Sequence, residues 1–339
     1  MKKTGRIITA LLCGAVALGA ASCGSGDSAA SVTGDPDKIQ VVCTAFPAYD
    51  WARELTRGAE DKVEVTYLLE KGVDMHSFQP TADDILKISA CDLFVYVGGE
   101  SDKWAKDAAD NAENKDMKTL VMLDAIGSAA RTEEVKEGMQ ADEEEHEHDE
   151  HDEHEEHSDA PEYDEHVWLS LKNAETICSK LADDLATIDK DHADTYKSNL
   201  EEYKQKLDKL DGDFRALGQN AKNKTLIFGD RFPFRYFTED YGFDYYAAFV
   251  GCSAETEASF ETIAFLANKA DELGAKTIYV IENSDEKIAG AIVNSTKSKN
   301  AKIVRLDSIQ SVNRERINAG DTYISIMQKN YDTLKSTVE

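Results

Sequence analysis

Thr81-Ala-Asp-Asp-Ile-Leu-Lys-Ile-Ser-Ala90 followed by Cys91-Asp92-Leu-Phe-Val-Tyr-Val97-Gly98-Gly99 reads as a capped helix running into a short apolar strand that stops at two glycines. Thr81 can accept from the unpaired N–H groups of the helix's first turn. Leu93 to Val97 has no polar alternation, as expected of a strand covered on both faces. The same alternation extends in both directions. Upstream lie a strand at Lys38–Cys43, a helix at Pro47–Arg57 with its proline near the first turn, and a strand at Val63–Leu69. Downstream come a helix from Ser101 to about Glu113 and a short strand near Leu120. Strands alternating with helices predict a parallel sheet with helices on its faces. Such sheets bind ligands in the loops beyond the carboxyl ends of their strands. His76, in Gly72-Val-Asp-Met-His76, occupies one of those loops.

A second half repeats the pattern. Ile177, Leu181, Leu185 and Ile188, then Leu200, Tyr203, Leu207, Leu210 and Phe214, recur at helical spacing within Lys172–Asp189 and His192–Leu217. Strands follow at Thr225–Phe228, Tyr245–Val250, Thr277–Ile281 and Ile303–Leu306, with helices at Phe234–Tyr241, Ser259–Leu273, Asp285–Ser298 and Asp321–Ser336. A chain of 339 residues has length for two domains. The expected fold class is therefore α/β: two parallel-sheet lobes with flanking helices, joined by a long helix, with a ligand in the cleft between them. The boundaries are 38–171 for the first lobe, 172–218 for the helical connection and 219–339 for the second lobe.

Charge narrows the ligand. The formal net charge is −28, and every residue from Asp142 to His157 is Asp, Glu or His, with His146, His148, His151, His154 and His157 among them. That run supplies eleven negatives and leaves −17 on the remainder. Nucleic acid is excluded, because its phosphates require a basic face. Imidazole and carboxylate instead suit Zn²⁺ and Mn²⁺. The loop 142–159 has no apolar surface to bury, so it is expected to be disordered without metal and to gather metal loosely beside the cleft.

Lys2, Lys3 and Arg6 precede an apolar stretch from Ile7 to Ala21 that is shorter than the ~20 residues a spanning helix needs. Residues 1–22 read as a signal peptide. Leu18-Gly-Ala-Ala-Ser22-Cys23 resembles a bacterial lipobox, which implies lipidation of Cys23, a membrane anchor, and a flexible tether over 23–37. In an exported chain Cys43, Cys91, Cys178 and Cys252 can pair in three ways or stay thiols, and the strand positions of Cys43 and Cys91 favour buried thiols.

Two of the histidines outside the run stand out: His76, and His166 in Asp164-Glu-His166-Val-Trp168. Both sit in first-lobe loops and are the candidate metal ligands. Second-lobe candidates are acidic: Asp230 after Phe228-Gly229, and Glu282 after Ile278-Tyr-Val-Ile281, with Asp285 and Glu286 close by. Each would serve equally as an ordinary helix-cap carboxylate. Hydrolytic chemistry is disfavoured, because His154-Glu-Glu-His157 lacks the spacing of a helical zinc-protease motif.

Gly72-Val-Asp-Met-His76-Ser-Phe-Gln-Pro80, Asp164-Glu-His166-Val-Trp168-Leu-Ser, Phe234-Arg-Tyr-Phe237 with Tyr241-Gly242, and Gly320-Asp-Thr-Tyr323 with Met327-Gln-Lys-Asn330 together resemble the zinc and manganese substrate-binding proteins of bacterial ABC transporters. The resemblance covers nearly all of the mature chain. It implies two lobes joined by a long rigid helix, a metal between them, a membrane permease as partner, and ligation by His76 and His166. The third family ligand falls on Arg231, which cannot ligate while protonated. Asp230, one residue earlier, is the expected substitute. The fourth ligand falls among Glu282, Asp285 and Glu286, with Glu255 and Glu257 in reserve. The expectation is a monomeric, lipid-anchored receptor for Zn²⁺ that is not an enzyme. Mn²⁺ is the rival metal and a cell-surface adhesin the rival class.

Overall fold

The computed structural model describes residues 33–140, 162–253 and 257–339. The signal peptide, Cys23, most of the tether, the loop 142–159 and Glu255 lie outside these residues. In the first lobe, β1 (Ile39–Cys43), α1 (Phe46–Leu55), β2 (Val63–Tyr67), α2 (Ala82–Ala90), β3 (Leu93–Tyr96), α3 (Lys103–Asp110), β4 (Lys118–Val121) and α4 (Met122–Ile126) follow one another. Its four strands run parallel in the order β2-β1-β3-β4, with Ile39 opposite Val63 and Val41 opposite Leu93. Thr81 caps α2 as expected: its hydroxyl accepts from Asp84 N–H, and the Asp84 carboxylate accepts from Thr81 N–H.

Two long helices, α5 (Leu171–Ile188) and α6 (Ala193–Asn220), lead to the second lobe. There β5 (Thr225–Phe232), α7 (Arg235–Tyr241), β6 (Asp244–Val250), α8 (Phe260–Leu273), β7 (Thr277–Val280), α9 (Lys287–Ser295), β8 (Lys302–Arg305), α10 (Arg314–Asn318) and α11 (Tyr323–Val338) form a second parallel sheet of order β6-β5-β7-β8 with its helices. The 28 residues of α6 span about 42 Å. Near its start Asn199 Nδ2 donates to the carbonyls of Leu55 and Arg57, and near its end Phe214 packs on Phe237 at 5.0 Å. One helix thus touches both lobes.

In each sheet the chain turns from the first strand to one side and then the other, so a switch point lies between β1 and β3 and between β5 and β7. The lobes share a core. Trp51 stacks edge-on against Tyr323 at 5.1 Å, Tyr323 N–H donates to Asp50, and Trp168 Nε1 donates to the Ser308 carbonyl. Strand β5 runs four residues past the expected Phe228 because its register on β6 shifts between Phe228 and Arg231, letting the strand resume beyond Gly229-Asp230. The five-residue helices α4 and α10 are too short for a periodicity reading to register. Cys43, Cys91, Cys178 and Cys252 are all free thiols. Among the described residues no helix is long and apolar enough to cross a membrane.

Candidate metal centre

The loop after β2 folds into a single 3₁₀ turn, Met75–Ser77, whose cap is the Asp74 carboxylate accepting from His76 N–H at 3.0 Å. The cap fixes the backbone that carries His76. His166 precedes a similar turn, Val167–Leu169, and Asp164 Oδ1 accepts from its N–H at 2.9 Å. The two imidazoles meet with Nε2 to Nε2 at 3.2 Å and are almost completely enclosed, with side-chain exposures of 3% and 0%.

Their other nitrogens are taken. His76 Nδ1 lies 2.6 Å from Ser101 Oγ and 3.6 Å from Glu165 Oε2, and His166 Nδ1 lies 3.1 Å from Asp164 Oδ1. An oxygen that accepts at Nδ1 fixes the ring tautomer and leaves the Nε2 lone pair as a donor to metal, the usual arrangement behind a histidine ligand. Glu165 Oε1 accepts from Ser101 N–H, while Oε2 is buried with no hydrogen-bond partner. Burial pushes this carboxyl up to about 7. Gly99 makes room for it, since a Cβ there would lie 2.2 Å from Glu165 Oε1.

Two facing imidazoles this close hold one proton between them at most. Burial and the charge of His166 lower His76. Burial also opposes charge on His166, but the Asp164 carboxylate outweighs it and raises that ring. As pH falls, the metal-free pair therefore takes up its proton on His166 before His76.

From the second lobe, the residue that lies near the two imidazoles is Cys252. The Cys252 thiol lies within 4.8 Å of both imidazole donor atoms, and His76, His166 and Cys252 make the one such group of three metal donors among the described residues. Asp230 and Glu282 do not join them. Asp230 Oδ1 accepts from its neighbour Arg231 N–H, and the residue lines an adjoining cleft of about 330 Å³ with Asp74, Asn283 and Asp285. Glu282 turns both oxygens to Ser308, accepting from its N–H at 2.8 Å and its hydroxyl at 2.9 and 3.0 Å. Asp285 pairs with Lys287, and Glu286 with Arg305. Glu257 lines a separate surface cavity with Gln140 and Phe260.

Arg231 reaches across the lobes: Nη2 is 2.5 Å from Asp74 Oδ2, and Nη1 donates to the Ser253 carbonyl at 3.2 Å. Burial would raise Asp74, but this guanidinium outweighs it and holds the carboxyl low. Gln310 completes the wall, its Oε1 3.0 Å from His166 Nε2 and its Nε2 donating to Asp74. Neither Gln310 nor Cys252 stood out as a donor in the sequence. Cys252 did carry one signal, its place two residues beyond Val250, the carboxyl end of β6.

Two α/β lobes bridged by a long helix and closing on inward-facing histidines define a metal-binding receptor. Residues 41–337 match the ZnuA family, zinc-uptake complex component A, periplasmic, and the chain belongs to that family, whose members are transport receptors and not enzymes. The high-affinity zinc uptake system protein ZnuA of Bacillus subtilis is 30% identical over 318 residues, covering 94% of this chain and 93% of that protein. The zinc-binding protein AdcA of Streptococcus pyogenes is 29% identical over 302 residues, 89% of this chain, which spans 56% of AdcA. The crystal structure of the Zn(II)-bound ZnuA-like domain of Streptococcus pneumoniae AdcA superposes with a TM-score of 0.67 at 26% identity, over 89% of this chain and 99% of that one.

Proposed function

We propose that this protein is an extracytoplasmic receptor that captures Zn²⁺ between His76 and His166 and delivers it to the permease of an ABC importer. The observation that carries the reading is the Nε2 pair 3.2 Å apart with both Nδ1 atoms already engaged. Two nitrogens at about 2.05 Å from a tetrahedral zinc stand about 3.3 Å apart. The ligands thus need almost no rearrangement to receive the ion. Lipidation at Cys23 would hold the monomer at the outer face of the cytoplasmic membrane, with 24–37 as tether. The loop 142–159 would raise the local zinc concentration. No bond of the cargo is made or broken beyond its coordination.

Competitive titration with a chromogenic zinc chelator tests this on the intact protein, on His76→Ala and on His166→Ala. One tight site lost in either variant and retained when 142–159 is deleted supports the receptor. Loss of all tight binding on deleting 142–159 would leave only a surface metal sponge. Tighter retention of Mn²⁺ than its low place in the metal-affinity order allows would make it a manganese receptor.

A further inference from the structure

We propose that the second lobe's ligand is the Cys252 thiolate, so that the site is two imidazoles and one sulfur. This rests on the reading of His76 and His166 as ligands.

Three observations converge on it. The thiol and the two imidazoles have their donor atoms within 4.8 Å of one another. A tetrahedral zinc with Zn–N of about 2.05 Å and Zn–S of about 2.3 Å sets N to S near 3.6 Å, so a small inward movement completes the triangle. The chain is also shaped to bring residue 252 here. A Cβ on Gly251 would lie 3.1 Å from His166 Cε1 and 2.9 Å from the Phe232 carbonyl, so glycine lets this backbone lie against the imidazole. The Cys252 amide is pinned at 2.9 Å on Glu133.

The carboxylates that would compete are held elsewhere. Glu282 is bound to Ser308, and Asp230 lies beside Arg231, whose guanidinium is committed to Asp74. A cation entering between the histidines meets sulfur before it meets an acidic oxygen of the second lobe. As the Zn–S bond forms, the Sγ–H proton leaves to solvent, and the thiolate supplies the single negative charge of the donor set. Gln310 Oε1, 3.0 Å from His166 Nε2, faces the fourth corner. A thiolate in place of a carboxylate favours Zn²⁺ over Mn²⁺ by softness.

Cobalt(II) spectroscopy on the full-length protein tests the assignment. The expected result is one bound Co²⁺ with an intense near-ultraviolet sulfur-to-cobalt band, absent in Cys252→Ser. That variant should weaken Zn²⁺ by more than the 10–100-fold that outer-shell changes cost. Cys252→His should recover much of the affinity without the band, which separates loss of a ligand from loss of fold. A Co²⁺ complex of the unaltered protein that lacks the band yet vanishes in His76→Ala overturns the cysteine and leaves the receptor standing. Binding indifferent to His76 and His166 overturns the receptor reading itself. Loss of binding in Asp230→Asn or Glu282→Gln with Cys252→Ser unaffected would return the second-lobe ligand to a carboxylate.

Discussion

Arg231 and Asp74, 157 residues apart in sequence, form an ion pair of 2.5 Å across the two lobes, and Asp74 is also the cap of the turn that carries His76. The position that the family resemblance assigns to a metal ligand is here a cation that braces the cap of the His76 turn. A largely buried ion pair of this kind, with the second guanidinium nitrogen held by the Ser253 carbonyl, acts chiefly by orientation. Asp74→Ala frees the turn, Arg231 and the Gln310 amide at once. The expected loss of zinc affinity is about 10–100-fold, the range for outer-shell supports. Chelator competition measures it, and an unchanged affinity would remove Asp74 from the site's framework.

The acid limb of zinc binding should be set by His166. Its imidazole is raised above the ordinary histidine value of 6.5 by Asp164 against the opposing effect of burial, so below that raised value the metal-free protein holds a proton there that zinc must displace. Below that raised value affinity falls about tenfold per pH unit for this proton, and above it this contribution flattens. Asp164→Asn keeps an oxygen for the His166 N–H but removes the charge. The limb should then move to lower pH in titrations at several pH values. A limb that stays in place would assign it to another group.

Much of this molecule was readable in advance, and the reason is local. Apolar strand blocks ending at Gly98-Gly99 and the Thr81 cap are signals carried within a few residues, and the structure keeps them. The two first-lobe loops that bring His76 and His166 together were legible because each histidine follows a short acidic loop motif. The approach of Cys252 to these histidines was not. Asp230 is expected from its place after Phe228-Gly229 and one residue before the family position at Arg231, whereas β5 shifts register between Phe228 and Arg231 and runs on to Phe232. Cys252 comes to the histidines through Gly251 packing on His166, a contact between loops 85 positions apart (251 − 166). Glu282 is likewise drawn off by Ser308, on a strand-end loop that neighbours it only in the folded sheet. Partner choice of this kind belongs to tertiary packing.

Asp50 yields a stability prediction away from the site. It is 3% exposed, accepts from Tyr323 N–H at 2.8 Å where α11 meets the first lobe, and burial pushes it up to about 6. A carboxyl raised on folding favours the protonated native state. Its contribution is fully present below the unfolded value of about 3.9 and is lost as pH rises through about 6. At neutral pH the buried charge costs up to about 3 kcal/mol. Asp50→Asn preserves the acceptor without the charge, so it should raise the melting temperature at pH 7.5 by several degrees, with the gain shrinking towards pH 4. Equal gains at both pH values would mean that Asp50 does not change its protonation between them.

Gly251→Ala is the most selective probe of how the lobes share the site. The added methyl would sit 3.1–3.2 Å from two ring atoms of His166 and 2.9 Å from the Phe232 carbonyl. That is closer than carbon ordinarily approaches, and the fully enclosed ring has little room to retreat. The loop bearing Cys252 must therefore move outward by a few tenths of an ångström, or the imidazole must turn off Asp164. Either movement spoils the donor triangle while leaving β5, β6 and the shared core intact. The expected outcome is an unchanged circular dichroism spectrum, a melting temperature within a few degrees of the parent in the absence of metal, and a smaller rise on adding zinc, since ligand stabilisation scales with the logarithm of affinity. A full zinc-dependent rise in this variant would show that the Gly251 loop does not form part of the metal's enclosure.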